Sequence, residues 1–288
     1  MKQQTIISVL GTTFFTLALL LLSSCTAMLV NPILDPLTLS LQKQTDLDLL
    51  QEGAPSLLLI LDGLIAKDPD NERLLMAAAK TYGAYATLLH EKGQIERAVK
   101  MSTKAKEYGI SLLEQLPGLK NIHKIPLAEV NLLLDKISGA DAGYLFWGAY
   151  GWAIWIQFQN GAPGAVAKLP VVEQIMLRVV ALEETYYYGG AHVFLGTYYG
   201  SLPAVLGGKP EESRLHFERA LALNGRKFLL TQVAYAENYA RTKFDRELFA
   251  ELLTEVIEYP LTDSETASSN TLAKVRAEKL LARIDNFF

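Results

Sequence analysis

The chain contains one cysteine, Cys25, among 288 residues. That excludes a disulfide scaffold and any site built on several thiolates. Histidine is scarce as well: His90, His123, His192 and His216 are scattered, and none stands in an HExxH arrangement. An excess of one charge is also missing. With 27 basic and 31 acidic side chains the net charge is −4, so the basic footprint of a nucleic-acid binder is absent and no nucleic-acid partner is expected. No sustained alternation of apolar and polar residues calls for a sheet. What is present is apolar: 50% of residues are hydrophobic and 20% are charged, which rules out a disordered chain and leaves ample material for a core.

The first residues have the layout of an export signal. Lys2 supplies a short positive start, residues 5–22 are uncharged, and Leu22-Ser23-Ser24-Cys25 closes the segment. An aliphatic residue, two small residues and a cysteine form the bacterial lipobox pattern, whose chemistry needs a thiol to carry a diacylglyceryl thioether. Each buried methylene contributes about 0.8 kcal/mol, so several acyl chains anchor stably where one is marginal. Residues 1–24 are therefore expected to be a lipoprotein signal peptide, Cys25 the lipidation site, 25–45 a lipidated tether containing Pro32 and Pro36, and 46–288 the folded domain. Facing the periplasm follows from export, and Thr26 in place of an aspartate favours the outer over the inner membrane. The competing reading is an uncleaved membrane helix, for which the uncharged run is near the lower limit of about 17–25 residues.

From Asp46 onward the pattern predicts an all-α fold. Apolar residues recur at three- and four-residue spacing in Leu57, Leu61, Leu64, in Tyr82, Tyr85, Leu89, and in Leu248, Leu252, Val256. Asp68-Pro69-Asp70-Asn71 ends one helix and starts another, and Pro210-Glu211-Glu212 places proline and carboxylates in a first turn. Offsets of the tetratricopeptide (TPR) kind recur three times: Tyr82, Tyr85, Ala86, Leu89, Gly93, Ala98 and Ala105; then Leu195, Gly196, Tyr199, Ser213, Phe217 and Ala220 with five extra residues at the turn; then Tyr235, Ala236, Tyr239, Leu248, Leu252 and Pro260. They predict stacked antiparallel helix pairs in a TPR-like, right-handed superhelical array. Generic antiparallel helices without repeat ancestry are the alternative.

The middle of the chain is aromatic. Thirteen of the 27 aromatic residues fall between Tyr144 and Tyr199. Residues 143–156 hold no polar side, so this helix is expected to be surrounded by protein, and at 14 residues it is too short to span a bilayer. Two readings of the cluster stay open. In one it is core. In the other, rings line a cleft for an apolar or amphipathic ligand, with indole and phenol groups as oriented polar contacts. Under the second reading the candidate ligand-binding residues are Trp147, Trp152, Trp155, Tyr187, Tyr188, His192, Tyr198 and Tyr199. The accompanying glycines, among them Gly148, Gly151, Gly189 and Gly190, point to close backbone approach or a shaped opening.

The strings GYLFWGAYGW (143–152), YGGAHVFLGTYYGSLP (188–203) and GGKPE (207–211) resemble the TatT family, the TPR-like lipoprotein T components associated with tripartite ATP-independent periplasmic (TRAP) transporters. The resemblance covers essentially the whole exported chain. It implies an all-helical periplasmic lipoprotein that self-associates, with a trimer favoured, works beside a TRAP solute-binding protein, and has a cleft or channel for a hydrophobic or amphipathic solute.

Catalytic constellations are missing. Gly207-Gly208-Lys209 lacks the upstream glycine spacing and the following Ser/Thr of a phosphate loop. Ser201 has no nucleophile-elbow glycines. The acid pairs Asp68/Asp70 and Glu211/Glu212 sit at helix starts, where capping accounts for them. Glu184 and His192 are interrupted by Gly189-Gly190, against a metal site. No enzyme activity, cofactor or metal is expected. The competing functional class is a protein-interaction scaffold of the bacterial envelope that holds peptides in a TPR groove.

Overall fold

A computed structural model describes residues 35–262 and 264–288. The signal peptide, Cys25 and the first part of the tether lie outside the described residues. No strand occurs among the described residues, and the fold is all-α.

Local chemistry sets the helix ends. Helix α1 (Leu47–Lys67) is capped by the Asp46 carboxylate, which accepts from the amides of Asp48 and Leu49. Helix α2 (Glu72–Glu91) starts at Asn71, whose side chain accepts from the Leu74 amide. Helix α3 (Ile95–Gln115) follows after Gly93, which adopts φ 76°. Then come α4 (Leu127–Leu134), α5 (Ala142–Gln157), a single turn at Pro163–Val166, and α6 (Leu169–Glu183). Helix α7 (Tyr186–Gly200) is joined by the 201–209 loop to α8 (Pro210–Asn224). The short α9 (Leu230–Tyr235) runs into a π-helical stretch, Ala236–Ala240, and α10 (Arg246–Glu258) and α11 (Ala267–Leu281) close the chain.

The three sets of repeat offsets fall on three helix hairpins: α2/α3, α7/α8, and α9 with its π stretch against α10. Their antiparallel sense is visible in cross-contacts. Tyr82 meets Tyr108 and Arg97 donates to the Tyr85 hydroxyl, while His192 meets His216 and the Ser213 hydroxyl donates to the Gly196 carbonyl at 2.7 Å. The five extra residues at the second turn lie in the 201–209 loop. Stacked hairpins of this kind are compatible with a TPR-like array.

Helix α5 lies inside, as the lack of a polar side requires, against α2, α3 and α6. Its approach to α3 is backbone to backbone: a Cβ on Gly151 would sit 2.3 Å from the Ala105 carbonyl oxygen, and one on Gly148 would meet Leu113 at 2.5 Å. Glycine here is a packing requirement that outweighs its helix penalty of about 1 kcal/mol.

Residues 35–43, expected in the tether, are helical, and Leu37 and Leu41 pack against the core. Pro36 falls in a first turn, where its missing N–H costs nothing. Helix α1 is long and apolar enough to span a membrane by composition, yet it buries Ala54, Leu57, Leu58, Leu61 and Ile65 against the domain. Its outer side leaves Leu59 and Ile60 exposed.

The apolar residues form two cores. The first runs from α1 through α7, and the second is built from α8 to α11. The last helix then returns to the beginning: α11 touches α1, Lys279 Nζ donates to the Glu91 carbonyl at the end of α2, 188 residues away, and Arg276 lies beside the Glu91 carboxylate at 3.6 Å. The chain thus closes on itself around the seam between the two cores.

Candidate functional site

A cavity of about 640 Å³ occupies that seam, within the roughly 300–1,000 Å³ range of small-molecule sites. Its walls come from both cores, with Phe146, Trp147 and Tyr187 from the first and Leu230, Val233 and Ala234 from the second.

The aromatic wall is held by an unusual turn. Near the start of α7, Tyr187 (φ 45°, ψ 57°), Tyr188 (φ 61°, ψ 28°) and Gly189 (φ 74°, ψ 29°) are all left-handed. Only Gly189 adopts this region without penalty; for each tyrosine it costs roughly 1–2 kcal/mol. The ring contacts made there offset that strain. Tyr187 sits 4.5 Å from Trp147 and 5.7 Å from Phe228 between ring centroids, and Tyr188 stacks on Phe228 at 5.0 Å. Trp147 donates its indole N–H to the Tyr186 hydroxyl at 3.0 Å. Burial pushes the Tyr150 and Tyr187 phenols above the usual tyrosine range, so both are neutral.

Charge enters the cavity at two places. Lys80, half-buried on α2, holds its ammonium 5.0 Å from the Trp147 ring and 5.5 Å from the Tyr187 ring. Burial lowers its pKa, with Glu265 partly opposing. No hydrogen bond or ion pair reaches this ammonium among the described residues. At the other place Arg276 binds Glu237 at 2.6 Å. Glu237 belongs to the π-helical stretch, a distortion often found at functional sites. Burial raises its carboxyl pKa and Arg276 pulls it back. Arg241 also borders the cavity but is exposed.

Of the sequence-predicted residues, Trp147, Tyr187 and Tyr198 line this cavity. Trp152 and Trp155 face a separate hollow of about 450 Å³ with Lys106 and His123. Trp152 is fully buried, and Lys106 rests on the Trp155 ring at 4.0 Å. Tyr188 stands behind Tyr187, stacked on Phe228. Tyr199 is buried and donates to Glu173 at 2.7 Å. His192 lies between α7 and α8, its Nδ1 2.8 Å from Nδ1 of His216 and its Nε2 3.4 Å from Glu184, which also pairs with Arg219. The left-handed turn breaks the helix between Glu184 and His192 without separating them. No group of three or more metal-binding side chains occurs among the described residues.

Sequence reasoning missed Lys80, Phe228, Glu237 and Arg276. Two of these carried a signal: Lys80 is the lone Lys, Arg, Asp or Glu in residues 74–90, and Glu237 the lone one in 228–240. An isolated charge on a helix that is otherwise packed inside demands a reason.

Fold and site together define an all-helical protein of stacked hairpins with a mainly apolar cavity whose walls carry charged groups. No curated protein matches the chain. The model of the TAtT family, TRAP transporter T-component, matches residues 43–288, and the chain belongs to that family. It is a T-component of a TRAP transport system, and its family is one of transport accessories.

Proposed function

We propose that this T-component holds a hydrophobic or amphipathic solute in the seam cavity and passes it to or from a TRAP solute-binding protein. The observation that carries the reading is the cavity itself, about 640 Å³ in volume and walled by the rings of Phe146, Trp147, Tyr187 and Phe228 together with Leu230 and Val233 of the second core. Trp147, Tyr187 and Tyr198 serve as ligand contacts. Tyr188, His192 and Tyr199 support the walls, whereas Trp152 and Trp155 belong to the separate hollow. Transfer needs only a difference in affinity between the two proteins, so no covalent step is required. Lipid on Cys25 holds the chain at the membrane, facing the periplasm and preferentially on the outer membrane. Assembly as a trimer would cover apolar surface such as Leu59 and Ile60 on α1 and the 202–206 stretch, where Val205 is 90% exposed.

Native mass spectrometry of freshly purified protein tests this reading. A co-purifying organic solute that is lost in a folded Trp147→Ala/Tyr187→Ala variant is the expected result. A co-purifying peptide, indifferent to those substitutions, would assign the protein to the scaffold class instead.

A further inference from the structure

The cavity wall holds one half-buried cation with no ion pair among the described residues, and Glu265 acts on it only from beyond ion-pair distance. Lys80 is drawn out of water by α2 and faces two rings, and no carboxylate of the described residues lies within ion-pair distance. Rings attract an ammonium but accept no strong hydrogen bond from it, so its three donors keep their capacity. The second charged place is different. Arg276 is bound to Glu237 at 2.6 Å and stands 3.6 Å from Glu91, and Lys279 also reaches Glu91. There Arg276 and Lys279 are engaged by Glu237 and Glu91, and the remaining cation, Arg241, is exposed to solvent, where an ion pair contributes little.

We propose that the cavity takes a single-headed anionic amphiphile, with its carboxylate seated on the Lys80 ammonium beside Trp147 and Tyr187 and its apolar chain extended along the seam. This rests on the reading of the cavity as a solute site and adds the class of solute. A cationic head would meet Lys80 over the same two rings and be repelled. A neutral head would leave a half-buried ammonium without a counter-ion. A second carboxylate at the far end of the chain would meet Glu237, whose partner Arg276 is already engaged, with only the exposed Arg241 beside it. Lys80 also has the right neighbours for orientation. The left-handed turn fixes Tyr187 over the ammonium, and Ser269 of α11, which interacts with the Tyr187 phenol, lines the same cavity. Leu47, Leu50 and Leu88 supply apolar wall for the chain.

The test uses the full lipidated chain in lipid nanodiscs, titrated calorimetrically with decanoate, decan-1-ol, decylammonium and decanedioate, with empty nanodiscs subtracted. A charge-assisted contact in a partly desolvated site corresponds to about ten-fold or more in affinity. Decanoate is therefore expected to bind at least about ten-fold more tightly than decan-1-ol, decylammonium more weakly than either, and decanedioate no better than decanoate. Lys80→Met should reduce decanoate affinity to that of decan-1-ol and leave decan-1-ol unchanged, while Lys80→Arg should keep the preference. Equal wild-type affinities for decanoate and decan-1-ol, or an equal effect of Lys80→Met on both, would overturn the assignment of the head group and leave the cavity reading standing. Absence of binding by all four compounds would overturn the cavity reading itself. If Lys80→Met does not fold, the ranking on the wild-type protein decides alone.

Discussion

Replacing Gly151 by alanine sets helix propensity against packing, and the structure says which prevails. Alanine is favoured over glycine in a helix interior by about 1 kcal/mol. At Gly151, however, the new methyl would lie 2.3 Å from the Ala105 carbonyl oxygen and 3.0 Å from its carbon. Both obstacles are backbone atoms of α3, so no side chain can swing away, and restoring ordinary contact requires the helices to separate by about 1 Å. Overpacking costs roughly 1–3 kcal/mol. Taking the upper end because the obstacle is rigid, and subtracting the propensity gain, leaves a net loss of about 2 kcal/mol. For a domain of this size that lowers the melting midpoint by about 4–8 °C. Gly63 in α1 provides the opposite case, because a methyl added there would find nothing within 4 Å and its φ is ordinary. There the propensity term acts alone, and Gly63→Ala should raise the midpoint by about 2–4 °C. Thermal unfolding followed by near-ultraviolet circular dichroism measures both. A Gly151→Ala protein that melts at or above the wild-type temperature would refute the backbone contact between α3 and α5.

Three further outcomes follow from named contacts. Trp152→Ala empties a fully buried site and should cost about 3–5 kcal/mol in urea unfolding, with ligand affinity of the folded fraction unchanged because Trp152 does not line the seam cavity; weaker binding at unaltered stability would contradict that placement. Arg276→Met leaves the buried Glu237 without its partner and should cost about 3 kcal/mol, most of it recovered by adding Glu237→Gln; a double variant no more stable than the single one would show that the pair is not coupled. Burial and the neighbouring His192 hold the His216 pKa down to about 4, below the unfolded value near 6.5. The unfolded chain therefore takes up that proton first, so the stability His216 contributes is full above about pH 6.5 and is lost as pH falls toward 4. Urea midpoints across that window should fall with pH in the wild type and fall less in His216→Gln.

Much of the scaffold was legible because each signal was local. Asn71 caps α2 at the Asp68-Pro69-Asp70-Asn71 break read from the sequence, and the repeat offsets landed on hairpins because small residues at fixed spacing are what close helix packing needs. The apolar run 143–156 had to be inside, and α5 is. The cavity was only partly readable. Trp147 and Trp152 are indistinguishable by composition, yet they point to different hollows because a five-residue step on α5 turns the side chain to another face of the helix. Tyr187 reaches the cavity through a left-handed backbone that tyrosine does not favour, so no propensity argument could orient it. Phe228 arrives from the turn before α9 to meet Tyr187 and Tyr188, and Arg276 arrives on the returning α11 to meet Glu91 and Glu237, so only tertiary packing places them.

That return also completes the cavity. Ser268, Ser269, Leu272 and Arg276 of α11 complete its wall, and the clasp to Glu91 joins residues 188 positions apart. The cavity therefore depends on the C-terminal helix as much as on the aromatic middle, and a protein clipped before α11 would lack four of the residues that line it.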